Sequence, residues 1–346
     1  MRKLATIQKI IDIKPIKDAD RIEVASVLGW HVVVKKNEFK VGDLVIFCEI
    51  DSLLPMLPVF EFLAKNGTKK ILIDGKEIEG YRLKTIRLRK QISQGLCLPI
   101  DSFPIELKVQ DIWKEGTDVT EKLGIVKWEP VLPANLAGQV KGLFPSFIPK
   151  TDETRIQSEP QILKKYKDEV FYTTEKVDGT SCTVFIKDGE LNVCSRNLNL
   201  KENKDNTYWK VVKELNLKEK LEKTGSKYAL QGELIGEGIQ QNKLKTKGQT
   251  ILFFNAYDMS ICQYLSYSKF IKLCKKLNIS KVPIIDKNYR LPETVDEIVA
   301  YTTRKSIINP DIWLEGIVVR PLKEKNDEDL GRLSFKVVNP EFLLNY

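Results

Sequence analysis

Glu175-Lys176-Val177-Asp178-Gly179-Thr180 brings a lysine, an acid and a glycine together just ahead of a β-prone run, Cys182-Thr-Val-Phe-Ile186. A lysine can act as a nucleophile at neutral pH only when its ammonium gives up a proton. That takes desolvation or a neighbouring cation such as a bound metal. The glycine would let a phosphate approach the backbone where a Cβ would stand in the way. By itself the K-x-D-G spacing is weak: it arises by chance in roughly a few per cent of chains this long, and it also fits a plain strand-to-turn junction.

Four strand-like segments downstream change those odds. Leu230-Gln-Gly-Glu-Leu-Ile-Gly236 carries Glu233, and Ile251-Leu-Phe-Phe-Asn-Ala-Tyr-Asp258 ends in an aromatic-acid pair. Leu314-Glu-Gly-Ile-Val-Val-Arg320 places Glu315 at the mouth of a strand, and Leu333-Ser-Phe-Lys-Val-Val338 sets Lys336 within a β run. An isolated charge in a β-branched strand ordinarily marks an edge or a solvent-facing position. Four of them following K-x-D-G in this order are hard to credit to chance.

The order resembles that of the covalent nucleotidyltransferases, the family of RNA ligases, DNA ligases and messenger-RNA capping enzymes. Lys176 stands at the motif I lysine, which attacks the α-phosphate of a nucleoside triphosphate to give a lysyl-nucleotide. Gln231-Gly-Glu-Leu-Ile-Gly236 resembles motif III and Phe254-Asn-Ala-Tyr-Asp258 motif IIIa. Glu315-Gly-Ile-Val-Val319 resembles motif IV, and Phe335-Lys336-Val337 motif V. DNA ligases and capping enzymes carry a further OB-fold domain after motif V, whereas this chain stops at Tyr346, too soon after Lys336 to encode one. The extra text is N-terminal. Gly29-Trp-His-Val-Val-Val-Lys35, Phe39-Lys-Val-Gly-Asp-Leu-Val-Ile-Phe47 and Ile92-Ser-Gln-Gly-Leu-Cys-Leu-Pro99 resemble the N-terminal OB module of RNA ligases of the Deinococcus and Naegleria type. The stretch 149–157, with Arg155, is similar to RNA ligases as well.

The resemblance implies an α+β chain: an OB-fold β-barrel over residues 1–130, a linker over 131–150, and an adenylyltransferase domain of antiparallel sheets flanked by helices over 151–346. It implies an ATP-dependent RNA ligase that joins 3′-hydroxyl and 5′-phosphate RNA ends through lysyl-AMP and an adenylated 5′ end, with RNA repair as the role. Lys176 would be the nucleophile. ATP would be held by Glu175, Asp178, Gly179, Arg155, Arg196, Glu233 and Lys336, with Tyr257 stacked on adenine and Phe254 as second choice. For either aromatic, core packing is an equal reading. Asp178, Glu233 and Glu315 would surround Mn²⁺ or Mg²⁺, directly or through its waters, since these ions prefer oxygen partners and keep several waters. Many RNA ligases have a second lysine in motif V where this chain has Val338, which leaves one phosphate or RNA contact to be supplied elsewhere. A GTP-dependent capping guanylyltransferase and an inactive RNA-binding relic of the fold are the alternatives.

The composition agrees with this. At 346 residues the chain has room for about two domains, and 42% hydrophobic with 30% charged residues describes a globular protein. A net charge of +9 suits a polyanionic partner such as nicked duplex RNA, and equally a lysine-rich surface. Six scattered cysteines without a C-x-x-C pair exclude a zinc ribbon and read as buried free thiols. A Ser-His-Asp or Cys-His mechanism would rest on the lone His31 in an apolar strand. No run could span a membrane, so a soluble, cytoplasmic or otherwise intracellular monomer is expected.

The flanking text supplies scaffolding. Alternating basic and apolar residues over 82–90 suggest one strand with a cationic face. Pro130, Pro133, Pro145 and Pro149 punctuate the joint, and turns are expected at Val41-Gly-Asp43 and Ile73-Asp-Gly75. Trp209, Val212 and Leu215 share a helical face, as do Phe270, Ile271, Cys274 and Leu277, and Thr294 to Glu297 has capping-box spacing.

Overall fold

The computed structural model describes residues 3–73, 76–102, 114–128 and 139–346. The chain is α+β and divides into two compact units, Met1–Leu132 with Gln157–Pro160, and Pro133–Ile156 with Gln161–Tyr346. Pro130 and Pro133 of the expected joint, and Asp74 and Gly75 of one expected turn, lie outside the described residues.

The first unit is built on two antiparallel sheets. One runs Leu96–Pro99, Leu44–Cys48, Ala5–Pro15, Ile22–Val27 and Trp30–Lys35 in spatial order, the other Val126–Lys127, Ser52–Pro55, Lys76–Arg82 and Lys69–Ile73. Alternate positions point inward, and Ile7, Ile46, Cys48, Leu54 and Phe60 form its core. The expected cationic strand over 82–90 does not form. One strand ends at Arg82, and the exposed hairpin strand Ile86–Leu88 turns at Arg89 and Lys90. Both turn residues have positive φ, which breaks the pleat that alternation requires.

In the second unit a seven-stranded sheet runs Val140–Leu143, Leu198–Leu200, Glu190–Cys194, Thr180–Lys187, Tyr228–Gly236, Gln249–Asp258 and Gln263–Tyr264. One face is apolar. Val184, Val193, Leu230 and Phe253 pack there with Trp209 and Val212 of helix Thr207–Glu214 and with Phe270, Cys274 and Leu277 of helix Tyr267–Leu277. The helical spacing read from the sequence is the spacing that is buried. Val140–Leu143, within the expected linker, is an edge strand of this sheet, and Ile148 packs with Phe185.

A five-stranded sheet runs Thr154–Arg155, Phe335–Val338, Gly316–Pro321, Phe171–Lys176 and Ile284–Tyr289. Only its first pair is parallel. Phe171, Ile317, Val319, Phe335 and Val337 point to one side, against Ile162, Leu163 and Ile298. Ile298 belongs to helix Val295–Thr302, whose capping box between Thr294 and Glu297 is complete. The alternate residues Lys176, Val318 and Lys336 turn to the other face, by the two-residue period of the strand. Five of the six cysteines are buried thiols; Cys262 is exposed, set in a turn with positive φ, against the expectation for all six. Among the described residues no helix is long and apolar enough to cross a membrane.

Candidate active site

Lys176 ends its strand opposite Gly316, and its Nζ donates to Glu315 Oε1 at 2.5 Å. Gly316 is required there, because a Cβ would run into the Val337 carbonyl. Asn339 fixes the other end of the contact: its backbone N–H donates to the Glu315 carbonyl at 2.8 Å and its side chain to the Leu314 carbonyl at 2.9 Å. Burial alone would lower the Lys176 ammonium, but Glu315, Glu233 and Asp178 outweigh it and hold it above the ordinary lysine value. Lys176 is thus a protonated lysine among three acids.

Those acids are in electrostatic conflict. Glu233 is pushed up to about 8, by burial first and then by Glu315 and Asp178, against the pull of Lys176. Asp178 is raised by burial and by Glu315, against Lys243 and Lys176. Gly179 brings Glu233 into this group. A Cβ there would meet the Leu234 carbonyl oxygen at 2.5 Å and Glu233 Cγ at 2.9 Å. The glycine therefore allows the close approach of strand Tyr228–Gly236, a demand on this position that the sequence reading did not include.

Glu175 faces the opposite way from Lys176. It is buried, accepts from the Ser306 hydroxyl and from the Ile307 N–H (2.9 Å), and is raised by burial in spite of both bonds. The structure does not bring Glu175 to the group around Lys176. Arg155 and Lys336 do come together, as Cα partners in the parallel pair, and Lys336 pairs with Val318 on the other side. Arg155 is buried. Arg196 is half-buried and pairs with Asp152 at 2.5 Å, while its charge still reaches Glu233.

The two candidate aromatics separate. A register shift in the ladder between Tyr228–Gly236 and Gln249–Asp258 falls beside Phe254 and Asn255, and such bulges re-aim side chains. Phe254 packs against a cluster that includes Val177, Ile235 and Leu244, with the Arg320 guanidinium 5.9 Å from its ring centre. Tyr257 lies in a buried cluster with Ile148, Phe185 and Cys194, its ring 5.1 Å from that of Tyr264. Only the second choice thus shares a cluster with Val177, the neighbour of Lys176 in the chain.

Sequence reasoning missed three residues. Lys243 reaches Asp178 Oδ2 at 3.2 Å from a loop with no recognisable pattern. Ser306 holds Glu175. Arg320, fully buried in the Gly316–Pro321 strand, donates to Glu153 at 2.8 Å and to Ser334 at 3.0 Å. Burial would raise Glu153, but Arg320 and Arg332 hold it below the usual carboxylate range. An arginine inside so apolar a run demands a buried partner, which was a readable signal.

The donor set fits a divalent cation. Glu315 Oε2 is buried with no hydrogen-bond partner, and three carboxylates act together on Lys176, with the Lys243 ammonium on Asp178 as the second cation. Among the described residues no group of three His, Cys, Asp or Glu side chains is placed to hold a bare ion. That suits an ion that keeps part of its water shell. The chemistry open to this arrangement is nucleophilic attack by an amine on a phosphate, which defines the class as a covalent nucleotidyltransferase.

The comparisons narrow the class. An OB-fold domain model matches residues 4–100, and an RNA ligase model matches residues 169–338. Naegleria gruberi RNA ligase solved with AMP and Mn is 40% identical over 100% of this chain and 99% of that one, with a TM-score of 0.88. The same ligase with ATP and Mn gives 40%, 99%, 99% and 0.88, and with PPi 41%, 99%, 98% and 0.86. A comparison with curated protein sequences returned no match. The chain belongs to the RNA ligase family.

Proposed function

We propose that this chain is an ATP-dependent RNA ligase acting through a lysyl-AMP intermediate at Lys176. The observation that carries the reading is Lys176 held at 2.5 Å from Glu315 among Asp178 and Glu233, in a chain 40% identical over its length to a ligase solved with ATP and Mn. The Lys176 amine, once neutral, forms a bond to the α-phosphorus of ATP as the α–β bridging bond breaks and pyrophosphate leaves. Mn²⁺ or Mg²⁺ held by Asp178, Glu233 and Glu315 would supply charge neutralisation, both at the phosphates and at the carboxylates that otherwise keep Lys176 protonated. Lys336 and Arg155 bind the phosphate oxygens, with Arg196 reaching in from the rim. Phe254 takes the adenine face, ahead of Tyr257. Gly179 acts by letting Glu233 in, and Glu175 by fixing the strand from behind.

The adenylate then passes to an RNA 5′-phosphate, which frees the Lys176 amine. A 3′-hydroxyl attacks that activated phosphate and expels AMP. We assign the ends as 3′-hydroxyl and 5′-phosphate on a nicked duplex, the enzyme as a monomer, the setting as intracellular and the role as RNA repair. We assign the OB module to residues 1–130 and the ligase module to 151–346, with strand Val140–Leu143 of the expected joint built into the ligase module's sheet. Incubation with α-labelled ATP or GTP and Mn²⁺, followed by denaturing electrophoresis, tests this. An acid-labile, base-stable adduct from ATP alone supports the ligase; label from GTP would move the chain to capping chemistry, and no label would leave an RNA-binding relic.

A further inference from the structure

The loop between Glu233 and Phe254 carries a cation that the mechanism above leaves unused. Its backbone is strained in an unusual way. Gln240, Gln241, Asn242 and Lys245 all have φ between 45° and 63°, a left-handed conformation in four non-glycine residues within a short span. Such strain persists only where the surroundings over-determine it, and it concentrates at functional sites. The surroundings are explicit here. The Asn242 side chain donates to the Thr246 carbonyl at 2.9 Å and accepts from the Thr246 N–H at 3.1 Å. Leu244 is buried beside Val177 and Phe254, and its carbonyl accepts from Asn309 Nδ2 at 2.9 Å.

Lys243 stands between these anchors. Its Nζ lies 3.2 Å from Asp178 Oδ2 and 3.3 Å from Oδ1, and 5.2 Å from the ring centre of Phe342. Phe342 belongs to helix Pro340–Asn345, directly after the strand of Lys336, and the Asn339 that caps this helix also binds the Glu315 backbone. The lysine stem is largely covered, with 22% of the side chain exposed, so the ion pair is sheltered from solvent screening. Its position is fixed by the fold.

We infer that Lys243 is the resident counter-ion of Asp178: it competes with the divalent cation for that carboxylate, and it transfers to the polyphosphate when nucleotide enters. The inference rests on the ligase reading. Asp178 cannot serve a lysine ammonium and a divalent cation fully at once, and ATP brings the negative charge that compensates Lys243 for the lost partner. Lys243 thus serves Asp178 in the free protein and phosphate in the complex. Without it the free protein presents a more negative acid group.

The test is equilibrium binding, on the full chain carrying Lys176→Ala so that no adduct forms. Mn²⁺ binding is read by electron paramagnetic resonance in the absence of nucleotide, and ATP binding by calorimetry. Lys243→Met should tighten Mn²⁺ several-fold and weaken ATP by about tenfold, the scale of one charge-assisted contact. Lys243→Arg should stay near the parent in both. A merely structural lysine would weaken both together, or neither. Mn²⁺ affinity that stays unchanged or falls in Lys243→Met, or unchanged ATP affinity, overturns the inference. Melting curves confirm that each variant is folded. Absence of adenylylation in the wild-type protein, with Lys176 intact, would instead overturn the ligase reading, since Mn²⁺ binding to the free protein requires no turnover.

Discussion

Glu175 and Lys176 are neighbours in sequence, yet they belong to opposite kinds of surroundings. Behind the strand, the Glu175 carboxylate is served at both oxygens, by Ser306 and by the Ile307 N–H, and Ser306 in turn accepts from the N–H groups of Ile308 and Asn309. In front of it, Lys176 answers to three acids, and Glu315 keeps one buried oxygen without a hydrogen bond. The first carboxylate is closed: both of its oxygens have a donor, and the result is a rigid anchor. The second is incomplete in charge, and an incoming cation and phosphate complete it. A one-residue step along a β-strand separates scaffold from chemistry, because alternate side chains leave opposite faces. A slip of register would exchange the two roles.

Five substitutions sharpen or break this contrast. The largest effect is expected from Lys176→Ala, which should abolish the labelled adduct, a loss of roughly 10⁴-fold or more. Its melting temperature should stay close to the parent's, and some sealing of pre-adenylated RNA should survive. A stable adduct in this variant would refute the nucleophile. Next is Glu153→Gln, which leaves Arg320 buried and unpaired; denaturant titration at neutral pH should show a loss of about 3–5 kcal/mol. Its pH dependence has a definite sign. The folded Glu153 value is depressed, so the pair's contribution is present above the unfolded value near 4.3 and fades as pH falls through the folded one. The gap between parent and variant should therefore narrow in acid; a constant gap would remove the ion pair from the account.

Ser306→Ala comes third. It takes one donor from a buried carboxylate and should cost about 1–3 kcal/mol of stability, with adduct formation at saturating ATP within a few-fold of the parent. A collapse of adduct formation without loss of stability would place Glu175 in the chemistry after all. The smallest effect separates the aromatics. Phe254→Leu should raise KM for ATP about three- to tenfold, as loss of one aromatic contact implies, while Tyr257→Phe leaves it unchanged. The reverse outcome would restore Tyr257 to the adenine.

Much of this was legible before the fold was known, for reasons that differ by residue. Lys176, Glu233, Glu315 and Lys336 stood out because each is a charge set in strand-like text, and their order is a family order. The helices around Trp209 and Phe270 were readable from their 3.6-residue period, and Thr294 from its cap. Lys243 was not readable, because an ion pair with Asp178 depends on loop strain that composition does not reveal. Gly179 was noticed for the space a missing Cβ leaves, and only the packing shows that strand Tyr228–Gly236 approaches there. The basic run at 82–90 failed because alternation says nothing about where a turn interrupts it.

The most direct test of the central claim is to map the adduct. Wild-type protein is incubated with ATP and Mn²⁺, digested at neutral pH, and its AMP-bearing peptide sequenced by mass spectrometry. AMP on Lys176 alone is the predicted result. AMP on Lys243 or Lys336 in its place would contradict the account, since the lysine paired with Glu315 would then not be the one that attacks.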